Sequence, residues 1–252
     1  MIDTEHQLLL LDRIRSVKNI HEFSKSCIEM IQALECDFYL FRLFKPSEAT
    51  HFQLFLDSNY PQYWLDEYLS CGFDNPDPVL QFCRDHQSPV FWHQLYRDIS
   101  PRSQTARFFK NAAKAGLIDG VSVPIHGTFG EFGILSLTMK HFIELESRLN
   151  LKLQAQLFAP YLQEAVNRFW RKFHIDYQLT ARERECLSWA CQGKTTWEIA
   201  QILHLAESTV NFHLNNTITK TKASNRQQAI AKALMSGVLM SEPVDESLPN
   251  EN

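Results

Sequence analysis

The apolar patterning of this chain changes character once, at about residues 171–179, and that change constrains its fold more than any other feature. Before it, dense aromatic and aliphatic runs such as DFYLFRLF (37–44) and HFQLFL (51–56) read as strands. After Leu179, every segment reads as a short helix with its own start and stop signals. The stretch RKFHIDYQ lacks clear periodicity, which places a linker at 171–178. A chain of 252 residues accommodates two modest domains of this kind.

Composition removes several classes. Hydrophobic residues at 44% demand a packed core, and a net charge of -4 excludes a generally basic nucleic-acid coat protein, though not a small basic face. No run approaches the ~20 apolar residues that span a membrane. The N-terminus starts acidic and carries Arg13 and Arg15 after its apolar run, the reverse of a signal peptide, so a soluble cytoplasmic chain is expected. Cys27, Cys36, Cys71, Cys83, Cys186 and Cys191 form no C-x-x-C pair and no zinc-finger spacing. They read as buried reduced thiols, with no metal. P-loop, G-x-G-x-x-G, G-x-S-x-G and H-E-x-x-H motifs are all missing, so no enzyme is expected.

In the first part, residues 3–34 read as two helices. Leu8, Leu9, Leu11 and Ile14 space one apolar face, and Ile20, Phe23, Cys27, Met30, Ile31 and Leu34 another, with Asn19 as N-cap. Lys45-Pro46 closes the first strand. Further helices are expected from Tyr60-Pro61 to about Leu69, from Asp77-Pro78 to about Asp85 with Asp77 as N-cap, and over 103–115, closed by Gly116. Gly120–His126 and Phe132–Met139 read as strands joined by a turn at 127–130. A long helix over 143–169 is open to interruption at Pro160. Helices flank a mixed or antiparallel sheet.

Thr180 and Glu183 form a capping box on a helix to about Cys191, stopped by Gly193. Helices from Thr195 or Thr196 to Leu203 and from Glu207-Ser208 to Lys220 have helix-turn-helix size, and Asn225 opens a fourth, to about Ser236. Ile199, Ile202 and Leu203 are expected to pack on Leu205, Val210 and Leu214. Ser208, Thr209, Asn211, Phe212, His213 and Asn216 would face base edges or phosphates. Lys194, Thr195, Thr196, Lys220 and Lys222 lie near helix ends, where phosphates would run. A plain helical bundle fits the same lengths. Asn211 and Asn216, poor helix formers without evident structural task, argue against it. Residues 241–252 are acidic and proline-bearing, expected as a disordered tail.

The segment 179–239 closely resembles the DNA-binding domain of LuxR-type transcription factors. It carries Glu183, Leu187 and Gly193, the segment KTTWEIA (194–200), and Ala206-Glu207-Ser208-Thr209-Val210-Asn211-Phe212-His213. The resemblance implies a third helix in the major groove and a fourth supporting dimerisation. Upstream, Tyr60, Trp64 and Tyr68 recur at spacing four on one helix face. They read as an aromatic core stripe or as the wall of a cavity for a small amphipathic ligand, with Asp77 its acidic group. Trp64, Tyr68, Asp77, Pro78, Trp92 and Gly120 resemble the autoinducer-binding domain of the same family.

That resemblance implies an N-acyl-homoserine lactone as ligand and no cofactor. Trp64 would donate to the lactone carbonyl, Asp77 would accept from the amide N–H, and Tyr60 would donate to the amide carbonyl with Ser136 in support. Trp92 would pack on the lactone ring beside Phe108 and Leu117, with Tyr68 and Leu80 as walls. Arg42 departs from the family pattern, which has a small residue on that pocket-side strand position. It would snorkel, pair with a local acid, shorten the acyl-chain pocket, or meet a polar group on the tail.

The expected fold is therefore α+β. Residues 1–170 form an autoinducer-binding α/β/α sandwich with a central antiparallel sheet. Residues 179–240 form an all-α four-helix helix-turn-helix domain. The expected function is a quorum-sensing transcription regulator that binds an inverted-repeat operator in double-stranded DNA as a homodimer and contacts RNA polymerase. The alternative is an orphan receptor for an exogenous or non-lactone signal.

Overall fold

The computed structural model describes residues 4–48, 51–70, 77–97, 99–127, 130–170 and 177–239. The chain divides into two compact units, one of Met1–Lys45 with Gln53–Arg171 and the other of Lys172–Asn252, with which the short segment Pro46–Phe52 is grouped. Most of the expected linker and all of the expected tail, with Cys71 and the middle of the 127–130 turn, lie outside the described residues.

The first unit begins with α1 (Thr4–Ser16) and α2 (Ile20–Ala33), then β1 (Phe38–Glu48) and β2 (His51–Ser58). It continues through α3 (Gln62–Ser70), α4 (Pro78–Asp85), β3 (Val90–Phe91), α5 (Trp92–Tyr96) and α6 (Gln104–Lys114). The strands β4 (Asp119–His126) and β5 (Phe132–Met139) and the long α7 (Leu145–Phe169) complete it. Asn19 caps α2, its Oδ1 accepting from the Glu22 amide at 3.0 Å. The sheet order is β2-β1-β5-β4-β3, and β1 with β5, β5 with β4 and β4 with β3 pair antiparallel.

Alternation along the strands sorts side chains between two cores. Tyr39, Phe41 and Leu43 of β1 and Leu135 and Leu137 of β5 join the cluster with α1, α2 and α7. Leu40 of β1 and Ile134 of β5 face the other cluster, made with α3, α4 and α6. The result is the α/β/α sandwich with a central antiparallel sheet. Gly120 pairs with Thr138, and a Cβ there would lie 2.7 Å from both the Leu137 carbonyl oxygen and Thr138 Cγ2, so only glycine fits.

Several local expectations are corrected. Leu8 and Leu9 are 58% and 57% exposed, and Leu10, Leu11 and Ile14 carry the buried face instead. Ile20 is also exposed. β1 runs past Pro46, which lies beyond its last pairing with β5, Phe44 with Phe132, where a missing N–H breaks no bond to that strand. Pro160 does not interrupt α7. The short β3 and α5 carry too few residues for a periodic signal.

The second unit holds α8 (Ala181–Cys191), α9 (Thr196–Leu203), α10 (Glu207–Lys220) and α11 (Arg226–Met235). Thr180 and Glu183 form the expected capping box, and Thr195 with Glu198 forms another. Cys186, Leu187, Ile199, Val210, Leu214, Ala229 and Ala233 build its core. Ile202, expected in that core, is exposed, because the turn after α9 brings Leu203 and Leu205 inward instead. Cys27, Cys36, Cys83 and Cys186 are buried free thiols, whereas Cys191 is exposed.

Candidate functional site

In the first unit, the sheet face opposite α1, α2 and α7 forms the floor of a small cavity of about 30 Å³. Leu40, Arg42, Tyr60, Trp64, Tyr68, Asp77, Val79, Trp92, Phe108, Ile134 and Ser136 line it. Seven of the nine expected ligand residues are thus brought together. Leu80 and Leu117 are buried in the surrounding cluster without being among that lining.

On α3, Trp64 and Tyr68 stand one turn apart with ring centroids 6.3 Å apart, and Phe108 of α6 meets both edge-on at 5.7 and 6.4 Å. Asp77 caps α4. Its Oδ1 accepts from the amides of Val79 at 2.9 Å and Leu80 at 3.1 Å, and its Oδ2 from the Tyr68 hydroxyl. The residue expected to hold a ligand amide is therefore positioned by the helix it starts.

The Trp92 indole N–H donates to Ser122 Oγ at 2.9 Å, and Ser122 lies 2.7 Å from Ser136 Oγ. This buried relay ties Trp92 to the sheet and orients the Ser136 hydroxyl. The Tyr60 hydroxyl is buried with no hydrogen bond of good geometry, and Ser136 and Thr138 are the hydroxyls nearest in influence. Burial raises the pKa of both Tyr60 and Tyr68, and the Asp77 charge adds to this, while Arg42 opposes it at Tyr68. Both phenols stay protonated; Tyr68 gives its proton to Asp77, and Tyr60 has its own to offer.

Arg42 does not snorkel. It is 1% exposed, donates to the Tyr68 hydroxyl, and lies 4.8 Å over the Phe44 ring and 5.3 Å over the Tyr68 ring. Leu40, Val79 and Ile134 line the cavity without being among the expected ligand residues. Ile134 lies two residues from Ser136 and Leu40 lies opposite it in register, so strand alternation was the available signal.

In the second unit, α9 and α10 form the helix-turn-helix, with His204 in the left-handed conformation (φ 53°) ending α9. Ser208, Asn211 and Phe212 are exposed on α10, and Thr209, His213 and Asn216 are half-buried. Thr195 caps α9, and the Thr196 hydroxyl reaches Asn211 Oδ1 at 3.4 Å, so Asn211 does have a structural contact. Lys220 donates to Glu183 Oε2 at 2.6 Å and to the Gln178 carbonyl at 3.0 Å. Its ammonium is engaged within the unit.

Two family models match. Residues 19–166 match the autoinducer binding domain, and residues 177–233 match bacterial regulatory proteins of the luxR family. The chain is 32% identical over 235 residues to the transcriptional activator protein LuxR of Aliivibrio fischeri, covering 91% of this chain and 93% of that one. It is 36% identical to the transcriptional activator protein VanR of Vibrio anguillarum, over 81% of this chain and 85% of that one. Among solved structures, Escherichia coli SdiA superposes with a TM-score of 0.76 at 27% identity, covering 93% of this chain and 98% of the other. SdiA in complex with octanoyl-rac-glycerol gives 0.75 at 26%, covering 96% and 100%.

Proposed function

Because the chain belongs to the luxR family of bacterial regulatory proteins, we propose that it is a cytoplasmic quorum-sensing regulator whose first unit binds an N-acyl-homoserine lactone and whose second unit binds an inverted-repeat DNA site. It is a ligand-responsive transcription factor, and its chemistry is binding rather than catalysis. The observation that carries the ligand reading is one cavity lined by Tyr60, Trp64, Tyr68, Asp77, Trp92 and Ser136. Donors and one carboxylate converge there on an otherwise apolar space, which suits an amide and a lactone on an acyl chain.

In this reading Asp77 accepts the ligand amide N–H, Tyr60 and Trp64 donate to the two carbonyls, and Trp92, Phe108 and Leu117 pack the ring. Ser208, Thr209, Asn211, Phe212, His213 and Asn216 face the major groove, and Lys194, Thr195 and Thr196 face phosphates. A homodimer is supported by a bare apolar face. Leu145, Leu149 and Leu153 recur every fourth residue on α7 and are 78%, 66% and 55% exposed, and Leu8 and Leu9 of the adjoining α1 are also exposed. A second copy of the chain would cover them. The relatives are transcriptional activators by name, which supports contact with RNA polymerase.

Melting temperature and soluble yield with a panel of lactones test this reading. A lactone at a hundred times its Kd adds about 2.7 kcal/mol, a gain of roughly 5–10 °C for a domain of this size. Asp77→Ala should weaken binding about ten- to hundredfold, the loss of one charge-assisted hydrogen bond. A second reading, a receptor for a non-lactone lipid, draws on the octanoyl-rac-glycerol complex of the structural relative. Stabilisation by monoacylglycerol and by no lactone would favour it.

A further inference from the structure

Resting on the lactone-receptor reading, we propose that Arg42 is a specificity-determining residue that selects a neutral ligand carrying a hydrogen-bond acceptor near the start of its acyl chain. Arg42 heads the fully buried side chains by size, and it lies on the cavity face of β1. A cation taken out of water costs several kcal/mol unless a counter-charge meets it. Among the described residues Asp77 offers one, reached through a phenol: Arg42 donates to the Tyr68 hydroxyl, and that hydroxyl donates to Asp77.

This linkage sets the charge the cavity accepts. Arg42 and Asp77 are the charged members of the described lining, one of each sign. The described lining is therefore balanced in formal charge, and an anionic tail would leave one charge unbalanced. A neutral acceptor such as a carbonyl oxygen adds no net charge and still meets a guanidinium.

Register sets where that acceptor belongs. Arg42 pairs with Ile134, and Leu40 pairs with Ser136, so Arg42 stands one same-face position along the sheet from the Ser136 row, about 7 Å. With the ligand amide held by Asp77, Tyr60 and Ser136, that distance reaches the first few carbons of the acyl chain. A buried oxygen there needs a donor to offset its desolvation, and the planes of Phe44 and Tyr68 hold the guanidinium in place to supply one.

The test uses full-length protein and pairs of N-acyl-homoserine lactones of equal chain length, with and without an oxo group at the third carbon. Apparent dissociation constants come from melting-temperature titrations. The wild type should bind the oxo member at least about tenfold more tightly, the size of a charge-assisted hydrogen bond. Arg42→Met keeps much of the volume and removes the charge, and should bring the ratio close to one. Arg42→Lys should retain part of the preference. Because each variant is read as a ratio of two ligands, a general loss of stability does not mimic the result. An unchanged ratio in Arg42→Met overturns the proposal, as does a variant that only admits longer unsubstituted chains. If no lactone binds the wild type, the parent reading falls and takes this one with it.

Discussion

At the residue scale, the two functional surfaces are built from side chains whose local duties differ. Asp77 is at once the cap of α4 and the carboxylate of the cavity, so the helix supplies the rigidity that a binding carboxylate needs. In the second unit the neighbouring positions Lys194 and Thr195 divide similar work. The Thr195 hydroxyl is held in a capping box, while Lys194 offers a charge beside the helix start. Lys194→Ala should weaken binding to all DNA sequences alike and lower the slope of log affinity against log salt by about 0.9, the signature of one lost phosphate contact. Asn211→Ala should instead change the preference among operator variants at similar salt dependence. Salt titrations on a specific and a scrambled duplex separate the two. Identical behaviour of both variants would refute the groove assignment.

At the element scale, an ion pair with a buried carboxylate joins α8 to α10 in the second unit. Glu183 is 3% exposed in the first turn of α8, accepts from the Thr180 amide at 2.8 Å, and is met by Lys220 from the last turn of α10. Burial by itself would raise the Glu183 pKa. The hydrogen bonds from Lys220 and Thr180 outweigh it and hold the carboxyl below its ordinary value. A lowered folded-state pKa means that the stability it contributes is present above the ordinary carboxylate value. It is lost as pH falls through the lowered one. Lys220→Met should therefore cost about 1–2 kcal/mol at neutral pH, since the lysine is partly exposed, and should shrink the acid sensitivity. Thermal melts of the full chain from neutral to acidic pH read both effects. Unchanged melting with DNA affinity alone reduced would return Lys220 to the phosphate role. α7 shows a different balance: Pro160 forgoes the bond to the Gln156 carbonyl, yet Phe158, Ala159 and Leu162 are buried around it and keep the helix continuous.

At the scale of the whole molecule, the proposed dimer would need a surface to close on, and the exposed leucines of α7 and α1 are the one put forward for it. Leu149→Glu with Leu153→Glu places charges where a second copy would pack, at positions already exposed in the single chain. Sedimentation should then give a monomer, operator affinity should fall at least about tenfold as paired half-site binding is lost, and lactone-induced stabilisation should persist. A variant that remains dimeric would exclude this face.

Much of this architecture was legible in the order of the residues. Caps at Asn19, Asp77, Thr180, Thr195 and Asn225 act within a few positions of chain, so their hydrogen bonds depend on neighbours already written beside them. Strand alternation put Arg42 on the face of Leu40, which the family resemblance made the cavity side, and Trp64 and Tyr68 share the wall their spacing implied, with Tyr60 joining it from just before α3. Distance in sequence defeated the rest. Whether Leu8, Leu9 and Ile202 are covered depends on partners that periodicity does not name, and a helix face is apolar before anything packs on it. Lys220 meets Glu183 across 37 residues, a pairing that no local spacing announces. Arg42 meets Tyr68 across 26 residues, and only folding brings that phenol between a cation and Asp77. The elements, their ends and the chemical types on each face follow from the order of the residues, because short-range geometry sets them. The tertiary structure decided which charges meet, because burial and long-range pairing exist only once the sheet and helices have closed.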